Sequence, residues 1–444
     1  MKIKIISIIS LVAILFSISA LAISASVEIL KPDDWQRRTI RTDQDFSFAF
    51  VGDTQTITYM DYENARDNDP YNDTAYVDGL FTWIADNAEP LKIKHVFTLG
   101  DLTDKSSVHD PELSYAAIDP IANGATYDAE FEIFKAAISK LDGIVPYSIV
   151  RGNHDGYQID RFFNYEEYTK NFNGFYREDS GRYKDSITNS YRLAEINGIK
   201  FIFIALDFNP TRAVIAWLDE LLTTYSDYNA IITMHAYAAY TGNKIGIANI
   251  THISGCIVQG KYNGAAPDWI WKNCLKKHSN VILTVSGHVG VDHPKAFTSQ
   301  GDNGNKVLNV LVDPQGYDLN IQPIGAVLLM HFYDGGKTVK AEYYSTVLDA
   351  YKIGSNYTWG FDLMLPEAPT DTTAEATTEA TTEATTAATT TATNTTTAVE
   401  TTKALDTQKN DSGCGAGISI VTIAIIPALF TLPAIRSKTK NKDT

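Results

Sequence analysis

What most constrains this chain is how its apolar runs end. "FSFAFV" stops at Gly52-Asp53, "HVFTL" at Gly100-Asp101, and "VPYSIV" at Arg151-Gly152-Asn153-His154-Asp155. "FIFIAL" stops at Asp207, "AIITM" at His235, and "ILTVS" at Gly287-His288. Each run is short, apolar and rich in β-branched or aromatic residues, as buried strands are. Amphipathic segments lie between them: Phe131, Phe134, Ile138 and Leu141 fall on one helical stripe, and Val214, Trp217, Leu218, Leu221 and Tyr225 on another. Near-continuous apolar strands alternating with helices predict an α/β sheet buried on both faces. The later runs "KVLNVLV", "GAVLLMHF" and "TVKAEYYS", with a hairpin at Asp334-Gly335-Gly336, predict a second, more antiparallel sheet packed on the first. The expected fold class is a four-layer α/β/β/α sandwich of two mixed sheets flanked by helices.

In open α/β sheets the carboxyl ends of the strands line the ligand crevice. Polar groups that lie far apart in sequence therefore converge there. One polar residue after a strand is ordinarily a turn cap, but carboxylates, an amide and imidazoles after successive strands are a ligand set. That mixture suits Mn²⁺, Fe or Zn²⁺ rather than soft Cu(I) or a hard Ca²⁺ cage. No Cys-x-x-Cys occurs among the 3 cysteines, which argues against a thiolate site. Cys256 and Cys274 could pair in an oxidising compartment. The formal net charge of −16 argues against a nucleic-acid-binding surface.

The two ends of the chain have other compositions. Lys2-Ile3-Lys4, an apolar run to about Leu21, and the small residues Ala20 and Ala22 describe a signal peptide over 1–22. Residues 23–366 are the globular part, with a core over about 45–345. Residues 367–412 are Thr, Ala and Glu repeats with too little apolar surface to pack, and read as a disordered stalk. Residues 413–435 are apolar and long enough to span a bilayer core of roughly 30 Å as one transmembrane helix. Arg436, Lys438, Lys440 and Lys442 follow in a short basic tail, 436–444, which places that end in the cytoplasm. The expectation is a secreted, single-pass protein whose bulk lies on the extracellular face of the cell membrane.

"GDTQ" (52–55), "GDLTD" (100–104), "GNHD" (152–155), "MH" (234–235) and "GH" (287–288) stand in the order of the calcineurin-like metallophosphoesterases, and the chain resembles that family over about 45–345. "NVLVDPQG" (309–316), "GAVLLMHF" and "EYYST" resemble the end of a bacterial, secreted branch of it. The resemblance implies that Asp101 bridges two divalent cations, that Asn153, His235 and His288 complete the second, and that Asp53 holds the first. It implies that His154 protonates the leaving group. It also departs from the family, whose pattern begins Asp-x-His and closes Gly-His-x-His. Here Asp53-Thr54-Gln55 and Gly287-His288-Val289-Gly290 lack both imidazoles of the first metal. Gln55 offers an amide oxygen as a weaker donor, and His293, Asp292 and Gln315 are candidates for the remaining gap. One or two cations (Mn, Fe or Zn) are therefore expected.

Other residues take plainer readings. His252, His278 and His331 lie outside the motifs, His331 within an apolar strand. Arg151 reads as an ion-pair partner before it reads as a phosphate clamp. Asp104 and Asp155 are placed to orient ligands, Asp207 to cap a turn, and Tyr157, Tyr237 and Tyr240 to wall a pocket. The functional expectation is a cell-surface, metal-dependent hydrolase of phosphomonoesters or phosphodiesters that acts through metal-activated water. The alternative is a surface binding module that keeps the fold with weakened catalysis. A purely structural stalk protein leaves the strand ends unexplained.

Overall fold

Along Phe46–Val51 the side chains alternate: Phe46, Phe48 and Phe50 enter one core, Ala49 and Val51 another. That period of two runs through every central strand and builds the layers of the molecule. The computed structural model describes residues 34–366 except 68–74, 105–124, 156–158, 160–162, 164–178, 185, 242–243, 250–263, 316–322, 356 and 361–362. The expected leader, stalk, membrane helix and basic tail lie outside the described residues, as do Tyr157, His252 and Cys256. No helix among the described residues is long and apolar enough to cross a membrane. The chain divides into units Met1–Asp371 and Thr372–Thr444, and every described element belongs to the first.

In chain order the early strands are β1 (Trp35–Gln36), β2 (Phe46–Val51), β3 (Ile93–Thr98), β4 (Tyr147–Ser148), β5 (Ser180–Arg182) and β6 (Ser190–Ile196). Next come β7 (Ile199–Leu206), β8 (Asn229–Met234), β9 (Ala238–Thr241), β10 (Lys244–Ile247), β11 (Val281–Ser286) and β12 (Lys295–Gln300). The last are β13 (Lys306–Leu311), β14 (Ala326–Tyr333), β15 (Thr338–Ser345), β16 (Ala350–Lys352) and β17 (Tyr357–Trp359). The helices are α1 (Gln55–Asp67), α2 (Tyr76–Asn87), α3 (Ala125–Ile138), α4 (Arg212–Thr224) and α5 (Pro267–Asn273).

One sheet has the order β1-β16-β15-β14-β2-β3-β4, with β17 on β15. Its β2, β3 and β4 are parallel and its remaining pairs antiparallel. A second large sheet has the order β12-β13-β11-β8-β7-β6-β5, with β7, β8, β11 and β13 parallel, and β9 pairs with β10 in a small separate one. Both large sheets are mixed, as expected. Their composition differs from the expectation, however. "GAVLLMHF" (β14) does not belong to a separate late sheet: it pairs antiparallel with β2, Val327 opposite Val51. "KVLNVLV" (β13) instead extends the middle sheet beside β11. The physical reason is the aromatic layer. Phe46 stacks on Phe332 of β14 at 4.4 Å, and Phe48 meets Phe332, Phe97, Phe201 and Phe203 edge-on.

Three cores result. Helices α2 and α3 bury Val77, Leu80, Phe81, Phe131 and Phe134 against Ala49, Val51, Val327 and Leu329. Between the sheets lie the phenylalanines with Leu328, Met330, Leu283 and Val285. On the far side α4 packs Val214, Leu218 and Leu222 against Ile202, Ile204, Ala230 and Ile232. The order of layers is helix, sheet, sheet, helix. The hairpin at Asp334-Gly335-Gly336 joins β14 to β15 with all three residues at positive φ (56, 67 and 88°).

Candidate metal centre

The parallel strands of the two sheets release their loops toward one another, and backbone hydrogen bonds fix those loops together. The Asp101 carbonyl accepts the N–H groups of Thr54 and Gln55 at 3.0 and 2.8 Å. The His235 carbonyl accepts the Gly287 N–H at 2.9 Å. The Asp53 carboxylate, just past β2, accepts the His288 N–H at 3.0 and 3.2 Å across the sheet interface. Two site residues, Asp101 (φ 47°) and His288 (φ 74°), sit in the left-handed region, where a non-glycine residue costs about 1–2 kcal/mol. Glycine is required at 152 and 287 for a different reason. A Cβ at either would collide with the carboxylate of Asp101 or of Asp53 respectively.

Asp101, His235 and His288 present ligand atoms within 4.8 Å of one another. The arrangement around His235 is the most informative. Its Nδ1 lies 2.9 Å from the Leu99 carbonyl, which can only accept, so Nδ1 carries the proton. Its Nε2 then turns a lone pair toward Asn153 Oδ1 at 3.0 Å, His288 Nδ1 at 3.1 Å and Asp101 Oδ2 at 3.3 Å. The Asn153 and Asp101 oxygens can only accept, and acceptors converging on a lone pair repel unless something positive sits among them. Burial pushes the His235 imidazole down, but Asp101 and the Leu99 carbonyl outweigh it and hold its pKa above the ordinary range. A divalent cation satisfies every one of these lone pairs at once, so the donor set fits a metal.

Asp101 is the hub. Its Oδ1 takes the His154 N–H at 2.8 Å and its Oδ2 takes the Gln55 Nε2–H at 3.0 Å. Burial alone would raise its pKa; His235 and His154 hold it well below the usual carboxylate range. His154 is oriented by Asp104, whose carbonyl lies 2.8 Å and whose carboxylate lies 3.1 Å from Nδ1. Burial pushes His154 down, but Asp101 and Asp104 outweigh it and raise the imidazole to about 9. It is therefore a cation at neutral pH, with Nε2 at the crevice 4.0 Å from Asp101 Oδ2. Asp155 clasps two loops by accepting the N–H groups of Leu102 (2.7 Å), Thr103 (3.0 Å) and Gly152 (2.7 Å).

The structure thus gathers Asp53, Gln55, Asp101, Asn153, His154, His235 and His288. It excludes others. Asp292 and His293 pair with each other at 2.9 Å and with Lys295, and Asp292 is exposed, so neither fills the first-metal gap. Gln315 is half-buried and its N–H is held by Asp313 at 2.9 Å. Tyr237 does not wall a pocket; it is buried in the core beneath α4. Arg151 forms a bidentate pair with Asp207 at 2.6 and 3.1 Å. His331 is buried on β14 with Ser47 at 2.7 Å, and His278 pairs with Asp219 at 2.8 Å. Asp313 is the residue that sequence reasoning missed. It follows the apolar run Lys306–Leu311 as the others follow theirs, is fully buried, and has Asp53 as its neighbour. Burial raises it to about 7, and burial followed by Asp313 and Asp101 raises Asp53 well above the usual range.

The family model for calcineurin-like phosphoesterases matches residues 46–292. The protein YvnB of Bacillus subtilis, described as uncharacterized, is 26% identical over 280 residues, which are 59% of this chain and 18% of YvnB. The chain thus spans less than a fifth of that relative. A dimetal phosphatase from Danio rerio superposes with a TM-score of 0.40 at 12% identity, over 72% of this chain and 100% of its own. GAP50, the anchor in the inner membrane complex of Plasmodium, gives 0.40 at 11% identity, over 72% and 90%. The calcineurin-like phosphoesterase YfkN of Bacillus subtilis gives 0.34 at 13%, over 68% and 91%.

Proposed function

The chain belongs to the calcineurin-like phosphoesterases, and from that premise we propose that it hydrolyses phosphomonoesters or phosphodiesters with divalent cations, outside the cell and anchored by its C-terminal helix. The observation that carries the chemistry is the convergence of Asn153, Asp101 and His288 on His235 Nε2. Asn153, His235, His288 and Asp101 would hold one cation, and Asp53 and Gln55 with Asp101 would hold a first. When bound, cations in such a cluster polarise a phosphoryl oxygen and make water a nucleophile near neutral pH. The protein's own groups do the rest. His154, charged and steered by Asp104, donates its Nε2 proton to the departing alkoxide. Asp155 keeps the loops bearing Asp101 and Asn153 in register. Phe208, its ring 5.7 Å from that of His235 and 6.0 Å from that of His288, packs beside both imidazoles. The signal peptide, stalk and basic tail read from the sequence support the extracellular placement.

The test is turnover of p-nitrophenyl phosphate and bis-p-nitrophenyl phosphate by the purified full-length chain with added Mn²⁺. Activity that disappears in the Asn153→Ala/His288→Ala double variant supports the proposal; equal rates in both proteins refute it. A second reading, a binding module with weakened catalysis, is favoured by the absence of imidazoles at Gln55 and Gly290. It requires cation binding without turnover in the same assay.

A further inference from the structure

At the opposite end of the middle sheet from the strand-end crevice, three ligand-bearing side chains of different chemistry meet. Asp219 on α4, Cys274 at the end of α5 and His278 just before β11 bring a carboxylate oxygen, a sulfur and an imidazole nitrogen within 4.8 Å of one another. His288 follows the far end of β11. That six-residue strand, roughly 20 Å long, therefore separates this cluster from the centre described above.

Local structure explains the meeting. Ile215, Asp219 and Leu222 stand at i, i+4 and i+7 on α4, and Ile215 and Leu222 are buried in the core beneath the helix. Asp219 thus sets a carboxylate into an otherwise apolar row. Cys274 ends α5: its N–H donates to the Ile270 carbonyl at 2.9 Å, and it is buried with Ile270 and Leu275. One turn of 3-10 helix, Leu275–Lys277, then brings His278 round. The Leu275 carbonyl accepts the His278 N–H at 3.2 Å, and Asn305 Nδ2 donates to the His278 carbonyl at 3.3 Å.

The contacts share one carboxylate. His278 Nε2 lies 2.8 Å from Asp219 Oδ1, and the Cys274 thiol hydrogen-bonds the same side chain. Burial, and then Asp219, push that thiol up to about 12, so it keeps its proton while no cation is bound. A buried cysteine by itself is packing. Here a free thiol, 1% exposed, meets an imidazole and a carboxylate, the ligand types of a tetrahedral zinc site. Asp219, its side chain 49% exposed, opens the cluster to solvent, which gives an ion its entry and water the fourth position.

We propose that Asp219, Cys274 and His278 form a Zn²⁺ site, separate from the strand-end centre, that staples α4 to the turn between α5 and β11. Sulfur sets its selectivity, because a thiolate favours Zn²⁺ over the hard cations Mn²⁺ and Mg²⁺. On binding, the S–H proton leaves to solvent and the sulfur takes the cation in its place. A single thiolate needs no Cys-x-x-Cys pair.

The experiment is titration of the full-length protein, purified without reductant, with Co²⁺ as a spectroscopic stand-in for Zn²⁺. Wild type is expected to develop a sulfur-to-cobalt charge-transfer band in the near ultraviolet, which Zn²⁺ abolishes and Mg²⁺ does not. The residues gathered at the strand ends include no cysteine, so the Asn153→Ala/His288→Ala protein is expected to keep the band. Cys274→Ser is expected to lose it. Should Cys274→Ser fail to fold by thermal melting, His278→Ala decides instead, with an expected loss of Co²⁺ affinity at the band-forming site of at least about tenfold. A band that survives in Cys274→Ser, or an unchanged affinity in His278→Ala, overturns the inference. So does the absence of a band in wild type, which a Cys256–Cys274 disulfide would produce. Loss of the band in Asn153→Ala/His288→Ala overturns the separateness of the site, and a band kept there stands whether or not the strand-end centre turns over phosphate esters.

Discussion

The carboxylate of Asp53 holds the backbone N–H of His288 with both oxygens, at 3.0 and 3.2 Å, and so ties the first strand-end loop of one sheet to the last imidazole of the other. It does so while fully buried and crowded by Asp313 and Asp101, an arrangement that costs stability when no cation is present. Asp53→Asn keeps an oxygen for the His288 N–H and removes one negative charge. The metal-free protein is therefore expected to gain about 1 kcal/mol, and Mn²⁺ is expected to stabilise it less than wild type. Thermal melts in chelator and in Mn²⁺ check both signs.

His154 is expected to act on the leaving group alone. His154→Gln should lower kcat by about 10²–10⁴-fold on an alkyl phosphate, whose alkoxide needs a proton. The loss should be much smaller on p-nitrophenyl phosphate, whose leaving group does not. Mn²⁺ affinity should stay unchanged, because the His154 side chain is not in the ligand set. Steady-state rates on the two substrates decide this.

Asp155 is a keystone rather than a ligand. Asp155→Ala leaves the N–H groups of Leu102, Thr103 and Gly152 buried without an acceptor. At about 1–3 kcal/mol each, the loss of unfolding free energy is expected to reach about 3 kcal/mol or more. Urea unfolding of the metal-free variant measures it.

Asp61 gives a pH dependence remote from the centre. Helix α2 has no side-chain cap at Ala75, and Asp61 on α1 supplies one by accepting the Tyr76 and Val77 N–H groups at 2.7 and 2.9 Å. Burial raises its pKa from 3.8 to about 6, against the lowering effect of those N–H groups. In that interval the folded state holds a proton that the unfolded state has released. Its stabilisation is full below about 3.8 and is lost as pH rises through about 6. The change is on the order of 3 kcal/mol. Unfolding free energies at pH 4 to 7 should fall more steeply in wild type than in Asp61→Asn, and identical slopes would count against it.

How much of the fold and the site is legible in the sequence depends on which interactions are local. The strand ends are readable, because an apolar run followed by Gly-Asp, Asn-His or Gly-His needs no partner to be recognised. The stripe Phe131, Phe134, Ile138 and Leu141 is readable from period alone, and all four are buried. The division of strands between sheets is not. The pairing of Phe46–Val51 with Ala326–Tyr333 depends on ring packing among phenylalanines that no local pattern reveals. Asp313 follows the same strand-end rule as Asp53, yet its run resembles a plain structural strand and hides it. Tyr237 misleads for the converse reason: its nearness to His235 in sequence says nothing of how the short link between β8 and β9 turns it into the core beneath α4.

The most direct test of the metal centre is an anomalous-scattering map of crystals of the protein soaked in Mn²⁺. The expected result is a peak enclosed by Asp101, Asn153, His235 and His288, with a second on the side of Asp53 and Gln55. A map with no peak at the strand ends, or with those side chains turned away from one another, would contradict it.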